Sequence, residues 1–298
     1  MNLEDYANLG ASYPKVLLYG APFTGKTTAA ASLAERRNIM LIDLDRNAAE
    51  LVHSVPKQYH SNIDIVPMPD SLENPIYDLL MDFLQGKRVD YNPIAGKKLS
   101  IKYRGAIDNV TPKLPEIKPV NDATILVIDS GTTLTESVIN YVREVRSRSD
   151  KESNLNEIAL SERDWELVAG YIARFTKVLK SLPYPVILIC HEMLVEMPDK
   201  SIRIAPALGS RNTSRNVAKD FTNVVHMSLD GTVFRQSSSQ KTNAKVIAGS
   251  RRNIFVEKGN KLIDFFNGTS TYVDNTKNVN VTETEKNPLG KPDSSFVK

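Results

Sequence analysis

The stretch Tyr19-Gly20-Ala21-Pro22-Phe23-Thr24-Gly25-Lys26-Thr27-Thr28 decides the fold, because it contains the pattern G-x-x-x-x-G-K-[ST]. An apolar, β-prone run precedes it at 16–19, and a segment rich in helix formers follows it at 28–35. A strand, a glycine loop and a helix in this order are typical of a phosphate-binding loop. We therefore predict that residues 20–28 bind phosphate groups, with Lys26 on the β- and γ-phosphates and the Thr27 hydroxyl on Mg²⁺.

The composition is that of a globular protein. The 298 residues can form one large domain or two small ones, and 41% of them are hydrophobic. No apolar run approaches the roughly 20 residues that a membrane-spanning helix needs, and residues 1–10 are too polar and acidic for a signal peptide. The single cysteine, Cys190, cannot form an intramolecular disulfide and is typical of a reducing compartment. We therefore expect a cytoplasmic protein without a membrane partner.

Positive charge is unevenly distributed along the chain, although the net charge is only +3. Residues 87–118 carry eight basic and three acidic side chains, and residues 201–264 carry eleven basic and four acidic ones. Such asymmetry indicates a surface that faces a polyanion. Lysines that only keep the protein soluble would give the same pattern, so charge alone does not decide between the two interpretations.

Apolar runs alternate with helix-forming segments through the first two thirds of the chain, which predicts an α/β fold with a mainly parallel central sheet and flanking helices. Buried strands are predicted at about 15–19, 38–45, 62–67, 123–129 and 185–190, and helices at about 26–37, 79–84, 133–146 and 156–182. In the last helix, Trp165 lies near the same face as Val168, Ile172 and Phe175, and we expect it in the core.

The remainder of the chain predicts an antiparallel C-terminal extension. Its strands are predicted at 223–229, 232–236, 244–248, 254–257 and 262–266. The predicted chain has three segments: an N-terminal arm at 1–14, a core at 15–266 and a disordered, polar tail at 267–298. Within the core, the proline- and lysine-rich residues 87–121 predict a basic insertion with a hairpin strand at 98–103.

Polar residues follow four of the predicted buried strands, and such strand ends are where open parallel sheets bind ligands. Asp129 is the candidate Mg²⁺ ligand, with capping of the next helix as the alternative. Asp45 and Glu192 are equal candidates for orienting the attacking water, with Asp43 behind them as a candidate or a capping residue. His191 is a candidate γ-phosphate sensor or a structural histidine. Arg251 and Arg252 are a candidate trans-acting pair or a solvated turn.

The order of these motifs resembles the RecA-type P-loop ATPase core, and most closely the phage-encoded RecA-like ATPases associated with single-strand annealing and recombination. GAPFTGKTT matches the phosphate loop, LIDLD the strand whose final acid, here Asp45, activates water, and LVIDSGTTL the Mg²⁺ strand with Asp129 and Ser130. PDSLENPIYDLLMDFL matches the strand exit and helix that follow LIDLD. VILICHE matches the γ-phosphate sensor strand, and NAKVIAGSRRN matches the position of the trans-acting basic residues. The family often has Glu where this chain has Asp45, and Gln where it has His191-Glu192.

The resemblance covers residues 15–266 and implies a DNA-stimulated ATPase that uses ATP and Mg²⁺. It implies binding of single-stranded DNA, a role in recombination or annealing, and assembly into a homo-oligomeric ring or filament. An annealing protein or a single-strand-binding protein would be a further partner, in the host cytoplasm if a phage encodes the chain. The DNA-contacting loops of the family lie at about 200–219, and Tyr91, Tyr103 and Phe234 could stack on bases or pack in the core.

Other classes of P-loop protein remain open at this point. A small-molecule or nucleotide kinase would use the basic insertion as a lid, and its turnover would respond to a nucleoside monophosphate. A helicase or packaging motor would share the same motifs. A GTPase would need N-K-x-D, and the nearest match, Asn260-Lys261-Leu262-Ile263-Asp264, misses by one residue.

Overall fold

The computed structural model describes residues 13–68, 70, 75–86, 124–147, 159–231, 233–239, 244–251 and 261–266, together with the backbone of 91–92 and 97–98. Most of the predicted arm, insertion and tail lies outside these residues, as does the strand predicted at 254–257. The domain boundaries therefore stay predictions. Within the described part of the chain, no helix has both the length and the apolarity needed to cross a membrane.

A mainly parallel sheet forms the centre of the structure. The strands are β1 (Lys15–Gly20), β2 (Asn38–Asp43), β3 (Ile63–Pro67), β4 (Tyr91–Asn92), β5 (Lys97–Lys98), β6 (Thr124–Asp129), β7 (Val186–Cys190), β8 (Glu192–Glu196), β9 (Ile202–Pro206), β10 (Asn223–Asp230), β11 (Val233–Ser237) and β12 (Gly249–Ser250). The sheet has the order β11-β10-β1-β7-β6-β2-β3, and β12 also pairs with β10. Strands β10 through β3 in this order are parallel, whereas β11 and β12 are antiparallel to β10. The fold class predicted from the sequence is confirmed.

Helices cover both faces of this sheet. They are α1 (Lys26–Ala31), α2 (Leu51–Ser54), α3 (Ile76–Leu84), α4 (Gly131–Ser147), α5 (Glu162–Ser181) and α6 (Arg211–Asn216). Short 3-10 helices span Ser32–Glu35, Ala48–Glu50, Lys57–Asn62, Val217–Asp220 and Leu262–Phe266. Because side chains alternate along a strand, β1 sends Leu17 and Tyr19 to the core beneath α3, α4 and α5, and Val16 and Leu18 to the core beneath α1 and α2.

The long helix α5 begins later than predicted. Ser161 is its N-cap, and Ser161 and Asp164 form a reciprocal capping box that stops the helix from extending toward residue 156. Val168, Ile172 and Phe175 are buried as expected. Trp165 is 38% exposed, so its predicted place in the core is wrong. It lies three residues from Val168 but outside the buried stripe of the helix, and a side chain as large as Trp is rarely buried completely.

Two of the predicted C-terminal strands are also wrong. Residues 244–248 form no strand, and Val246 makes only an isolated bridge to Ile204. Residues 262–266 form a 3-10 helix whose Leu262 and Phe265 are buried against the α1 side of the sheet. A short apolar run is compatible with either a strand or a buried helix. Here it packs against a face of the sheet and does not pair with a strand edge, which favours the helix. The strands predicted at 223–229 and 232–236 are confirmed as β10 and β11, within one residue.

The segment predicted as a polar loop at 200–219 is largely regular. Strands β8 and β9 form an antiparallel hairpin, and α6 with the 3-10 helix Val217–Asp220 follows it. Val195 and Ala205 on the inner side of the hairpin are buried against Ile247. The sequence prediction overlooked this hairpin because polar residues at 198–203 interrupt its alternating pattern. In the predicted insertion, the backbone pairs β4 with β5, and residues 99–103 of the predicted hairpin strand lie outside the described part.

A lysine is buried at the amino end of β1. Lys15 is 4% exposed, and its Nζ donates hydrogen bonds to the carbonyl oxygens of Leu182 at 2.8 Å and Tyr184 at 2.5 Å. Burial lowers the pKa of Lys15 from 10.5 to about 7, because the charged form loses its hydration. The folded chain therefore binds this proton more weakly than the unfolded chain does.

We expect the Lys15 side chain to make the free energy of unfolding rise by about 2 kcal/mol between pH 7 and pH 9.5, since the penalty for the buried charge disappears as the proton leaves. In Lys15→Met this rise should be absent. Urea unfolding of both proteins at the two pH values gives the comparison. Equal pH slopes in the wild type and the variant would show that Lys15 is not the titrating group.

Candidate active site

The phosphate loop leaves β1 at a point where only glycine fits. Gly20 pairs with Met227 of β10, and a Cβ added at Gly20 would lie 2.1 Å from the Met227 carbonyl oxygen. Gly25 has a φ of 73°, the left-handed conformation that side chains disfavour. The loop between them turns back on itself, and its Phe23 is 93% exposed. The two glycines of the motif are therefore needed for packing and for backbone conformation.

Lys26 lies beneath this loop and is buried. Its Nζ donates to the carbonyl oxygens of Gly20 at 3.0 Å and Ala21 at 2.7 Å. Burial lowers the pKa of Lys26, and the negative charges of Asp129 and Glu192 act in the opposite direction. The ammonium group is thus held at the position from which the motif directs it to phosphate oxygens.

The Thr27 hydroxyl donates a hydrogen bond to Oδ2 of Asp129 at 2.5 Å. Asp129 ends β6 and is 8% exposed. Burial raises its pKa to about 6; the charges of Asp45 and Asp43 add to this effect, and the Thr27 hydrogen bond opposes it. A hydroxyl and a carboxylate are therefore side by side, and hard oxygen ligands of this kind suit Mg²⁺.

The neighbouring residue Ser130, and not Asp129, caps the helix α4. The Ser130 hydroxyl accepts a hydrogen bond from the Thr133 backbone N–H at 3.1 Å, so Ser130 caps α4. Asp43 does act as a cap, because its two carboxylate oxygens accept from the backbone N–H groups of Asn47 at 3.2 Å and Ala48 at 3.0 Å. Its role is to hold the turn after β2.

A cleft of about 700 Å³ joins most of the predicted site residues. From the prediction, its walls contain Pro22, Phe23, Gly25, Lys26, Thr27, Thr28, Asp45, Asp129 and His191. Asn47, Glu50, Leu51 and Ser54 complete the wall on the α2 side and were not foreseen. They lie in the turn and short helices after β2, where the sequence carries no motif that distinguishes them from other surface residues.

His191 is fixed through its backbone, not through its ring. Its N–H donates to the Thr132 hydroxyl at 2.9 Å, and its carbonyl accepts from Ala207 N–H at 2.8 Å. Among the described residues the buried ring Nδ1 has no hydrogen-bond partner. A buried polar atom without a partner at the wall of a cleft is available to a ligand.

The two candidates for orienting water are held by different partners. The Asp45 carboxylate accepts a hydrogen bond from the Thr133 hydroxyl, at the start of α4. Glu192, the first residue of β8, has its Oε2 2.8 Å from Nε2 of His226 on β10. Sequence reasoning missed the roles of Thr133 and His226. Thr133 lies in the matched segment LVIDSGTTL but has no role assigned there, His226 belongs to no quoted motif, and each comes near its partner only through strand order.

Arg251, the described member of the predicted arginine pair, does not lie at this cleft. Arg251 follows β12, which pairs with Asn223 at the amino end of β10, whereas Gly20 pairs with Met227 nearer its carboxyl end. The Arg251 guanidinium donates to the Lys219 carbonyl oxygen. Arg252 lies outside the described residues. A role for Arg251 in its own cleft is therefore excluded by position, and its trans-acting role stays a prediction.

A second cleft, of about 460 Å³, lies on the other side of α1. Ala29, Leu33, Phe234, Leu262 and Ile263 form apolar walls, and Ser32, Glu35, Arg36, Gln236 and Lys261 add polar groups. The Phe234 ring approaches the phosphate loop, with Cε1 3.4 Å from the position of a Cβ at Gly25. Phe234 is 57% exposed, so core packing does not account for it.

These features define a class of protein. The parallel sheet order, the glycine loop with Lys26, and Asp129 beside Thr27 are those of a RecA-type P-loop ATPase. Residues 12–260 match the AAA domain family AAA_24, and the chain belongs to this family.

Other comparisons add the following. A KaiC-like protein from the hyperthermophilic archaeon Pyrococcus horikoshii OT3 is similar in structure, with 14% sequence identity and a TM-score of 0.35. The similarity covers 75% of this chain and 76% of that protein. No curated protein sequence matches the chain significantly.

The buried Asp129 carboxylate gives a prediction about stability. Because its pKa is raised in the folded state, its ionised form destabilises the fold fully above about pH 6, and protonation relieves this toward pH 4. At pH 8, without Mg²⁺ or nucleotide, Asp129→Asn should increase the free energy of unfolding by about 1–3 kcal/mol. Urea unfolding measures the change.

The gain should shrink at pH 4.5, where the wild-type carboxyl is protonated. Asp230→Asn is the matched control, because Asp230 is exposed and ion-paired with Arg235 at 2.8 Å. A less stable Asp129→Asn protein at pH 8 would contradict the electrostatic account of this site.

Proposed function

We propose that this protein binds and hydrolyses ATP with Mg²⁺, binds single-stranded DNA, and assists DNA recombination or annealing. The supporting observation is that one cleft contains Lys26, Thr27, Asp129, Asp45 and His191. A cation, a pair of hard oxygen ligands, a carboxylate and a ring nitrogen without a partner are what cleavage of a terminal phosphate requires.

The residues around the cleft fit the proposed ligands. Gly20 lets the loop leave β1 directly against the Met227 carbonyl of β10, and the left-handed Gly25 lets the loop backbone curl so that its N–H groups can meet phosphate oxygens. Thr27 and Asp129 would hold Mg²⁺, directly or through water. When bound, the ion would neutralise charge on the β- and γ-phosphate oxygens. Lys26 would exchange its carbonyl partners for these oxygens, and His191 would meet the γ-phosphate at its ring nitrogen.

Hydrolysis needs a water placed in line with the γ-phosphate. The water oxygen bonds to the γ-phosphorus, the bond to the bridging oxygen breaks, ADP leaves, and the water proton passes to a carboxylate. Asp45 lines the cleft and is held by Thr133. Glu192 is held by His226 and lies near enough to Lys26 to affect its pKa. Both carboxylates have a fixed orientation, which a water-positioning group requires.

The second cleft supports the preference for a nucleotide over free phosphate. It adjoins the loop at Gly25 through the Phe234 ring, and apolar and polar side chains line it in equal number. An adenine base attached to phosphates on residues 20–28 would pack against this ring. The side chains of Gln236 and Glu35 would then form hydrogen bonds with the polar edge of the adenine base.

The hairpin β8–β9 supports the proposed contact with DNA. It begins directly after His191, so it is joined to the wall of the phosphate cleft. Residues 200–219 carry five basic side chains and no acidic one. Leu194 and Ile202 on the outer side of the hairpin are 64% and 56% exposed. Exposed cations beside exposed apolar side chains suit a flexible polyanion with unstacked bases.

Phe234 gives a test of the base site. Phe234→Ala should weaken ATP binding by about fivefold or more, since stacking on a base contributes about 1–3 kcal/mol, and should leave binding of inorganic tripolyphosphate unchanged. Isothermal titration calorimetry gives both affinities. Val233→Ala is the matched control, because Val233 is an exposed apolar residue of the same strand, β11, and lines neither cleft. Equal losses for the two ligands would place the base elsewhere.

The proposal as a whole is tested by ATP turnover and DNA binding. The wild type should hydrolyse ATP faster with single-stranded DNA, and Lys26→Ala should lose at least tenfold in turnover. Fluorescence anisotropy with a labelled single strand should show affinity that falls as salt rises. The double variant Arg203→Gln, Arg211→Gln should bind DNA more weakly, and Lys57→Gln, a basic residue in the 3-10 helix after α2, is the control.

Two results would count against this function. Binding that ignores salt and nucleotide would remove the DNA proposal. Turnover that ignores DNA but rises with a nucleoside monophosphate would identify a kinase instead.

A further inference from the structure

We propose that His226 is a positioning residue, which holds the Glu192 carboxylate toward the phosphate cleft and thereby supports the hydrolytic step. This inference rests on the proposed ATP hydrolysis. It starts from a contact between His226 Nε2 and Glu192 Oε2 of 2.8 Å. His226 is 4% exposed, whereas the Glu192 side chain is 29% exposed. Without its partner, the more exposed carboxylate would be free to turn toward solvent.

The backbone of His226 lies on a rigid part of the sheet. His226 pairs with Tyr19, and the next pair along the same strands is Met227 with Gly20 at the start of the phosphate loop. His226 is therefore one residue from the contact that fixes the loop. A side chain on a central strand keeps its position better than one on a loop, which is what orienting another group requires.

The ring of His226 is also fixed from the side. The Tyr19 ring lies 5.0 Å from it, centroid to centroid, with the ring planes at 56°. The Tyr19 hydroxyl accepts from the Ile247 N–H at 3.1 Å, and the Ile204 and Ile247 carbonyl oxygens lie 3.1 and 3.0 Å from it. Tyr19 thus cannot move without breaking hydrogen bonds to two other segments. One of them, at Ile204, belongs to β9 of the hairpin.

The remaining ring atom favours one tautomer. Nδ1 of His226 is buried and has no hydrogen-bond partner among the described residues. A proton on Nδ1 would therefore be unsatisfied, whereas a proton on Nε2 meets the Glu192 carboxylate. The geometry therefore favours the tautomer in which Nε2–H is donated to Glu192. The donated bond leaves the second carboxylate oxygen able to accept a proton from water.

Among the residues that the structure describes, the Glu192 carboxylate has no hydrogen bond other than the one to His226. Glu192 is the first residue of β8, directly after the cleft residue His191, and its negative charge acts on Lys26. Asp45 already has Thr133 as its orienting partner. His226 would orient the Glu192 carboxylate as Thr133 orients that of Asp45. The difference is that His226 lies on a strand inside the sheet, whereas Thr133 lies at the start of a helix.

Kinetics of two substitutions test this role. His226→Phe keeps the buried ring volume but removes the donor, and should lower kcat for ATP at least tenfold with KM within threefold. His226→Gln can place an amide N–H near the position of Nε2, and should restore kcat to within threefold of wild type. His60→Phe is the control, because His60 Nε2 contacts only the Val55 carbonyl, at 2.8 Å, away from the cleft. Glu192→Gln combined with His226→Phe should be no slower than Glu192→Gln alone, since His226 acts through Glu192.

A spectroscopic measurement separates this proposal from the proposed function. The chain has four histidines, so ring ¹⁵N NMR of labelled protein can be assigned by single substitutions. His226 should show a proton on Nε2 and none on Nδ1, and Glu192→Gln should shift its resonances. This result is expected even if the protein turns over no ATP, in which case only the proposed hydrolysis fails. An Nδ1–H tautomer, a His226→Gln protein as slow as His226→Phe, or additive losses with Glu192→Gln would overturn the role of His226.

Discussion

The hydrogen bond from the Thr27 hydroxyl to the Asp129 carboxylate joins the ends of two strands that are not neighbours, β1 and β6. Strand β7 lies between them, so the contact between Thr27 and Asp129 passes over the end of β7. The side chains at the end of β7 must therefore be small for the Thr27–Asp129 hydrogen bond to form. Cys190 at the end of β7 is small and fully buried, and a Cβ at Gly131 would lie 2.8 Å from its sulfur. The contact between Thr27 and Asp129 and the start of α4 both depend on this close packing.

Much of this arrangement could be predicted from local patterns. The loop motif, the apolar strands and the acids that end them are each contained in a few consecutive residues, and the parallel sheet brings their ends to one edge. Residues that contribute through long-range contacts could not be predicted in the same way. His226 and Thr133 come from different strands and helices than their partners, and only strand order places them together. Residues 262–266 show a second limit, because an apolar pentamer has the same composition in a strand and in a buried 3-10 helix.

Helix α1 separates two spaces of different character. On one side are carboxylates, Lys26 and His191, and on the other are Phe234 and the apolar residues of the 3-10 helix Leu262–Phe266. A molecule with a charged end and an aromatic end could occupy both sides of the helix while its middle passes over Gly25. The hairpin β8–β9 directly follows the cleft residue His191 and contacts the sheet through Glu192 with His226 on β10 and through Ile204 with the Tyr19 hydroxyl. The proposed DNA contact and the proposed hydrolysis therefore share one structural support.

The carbonyl contacts of Lys26 have a consequence for selectivity. Its ammonium group already donates to two oxygens of its own loop, so an incoming molecule competes with an intramolecular partner and not only with water. A singly charged or neutral compound offers too weak an attraction to displace those carbonyls. A polyphosphate, with several negative oxygens within reach of one cation, does so readily. In the proposed complex, the loop would therefore select ligands by the charge density of their phosphate groups before any other part of the ligand is recognised.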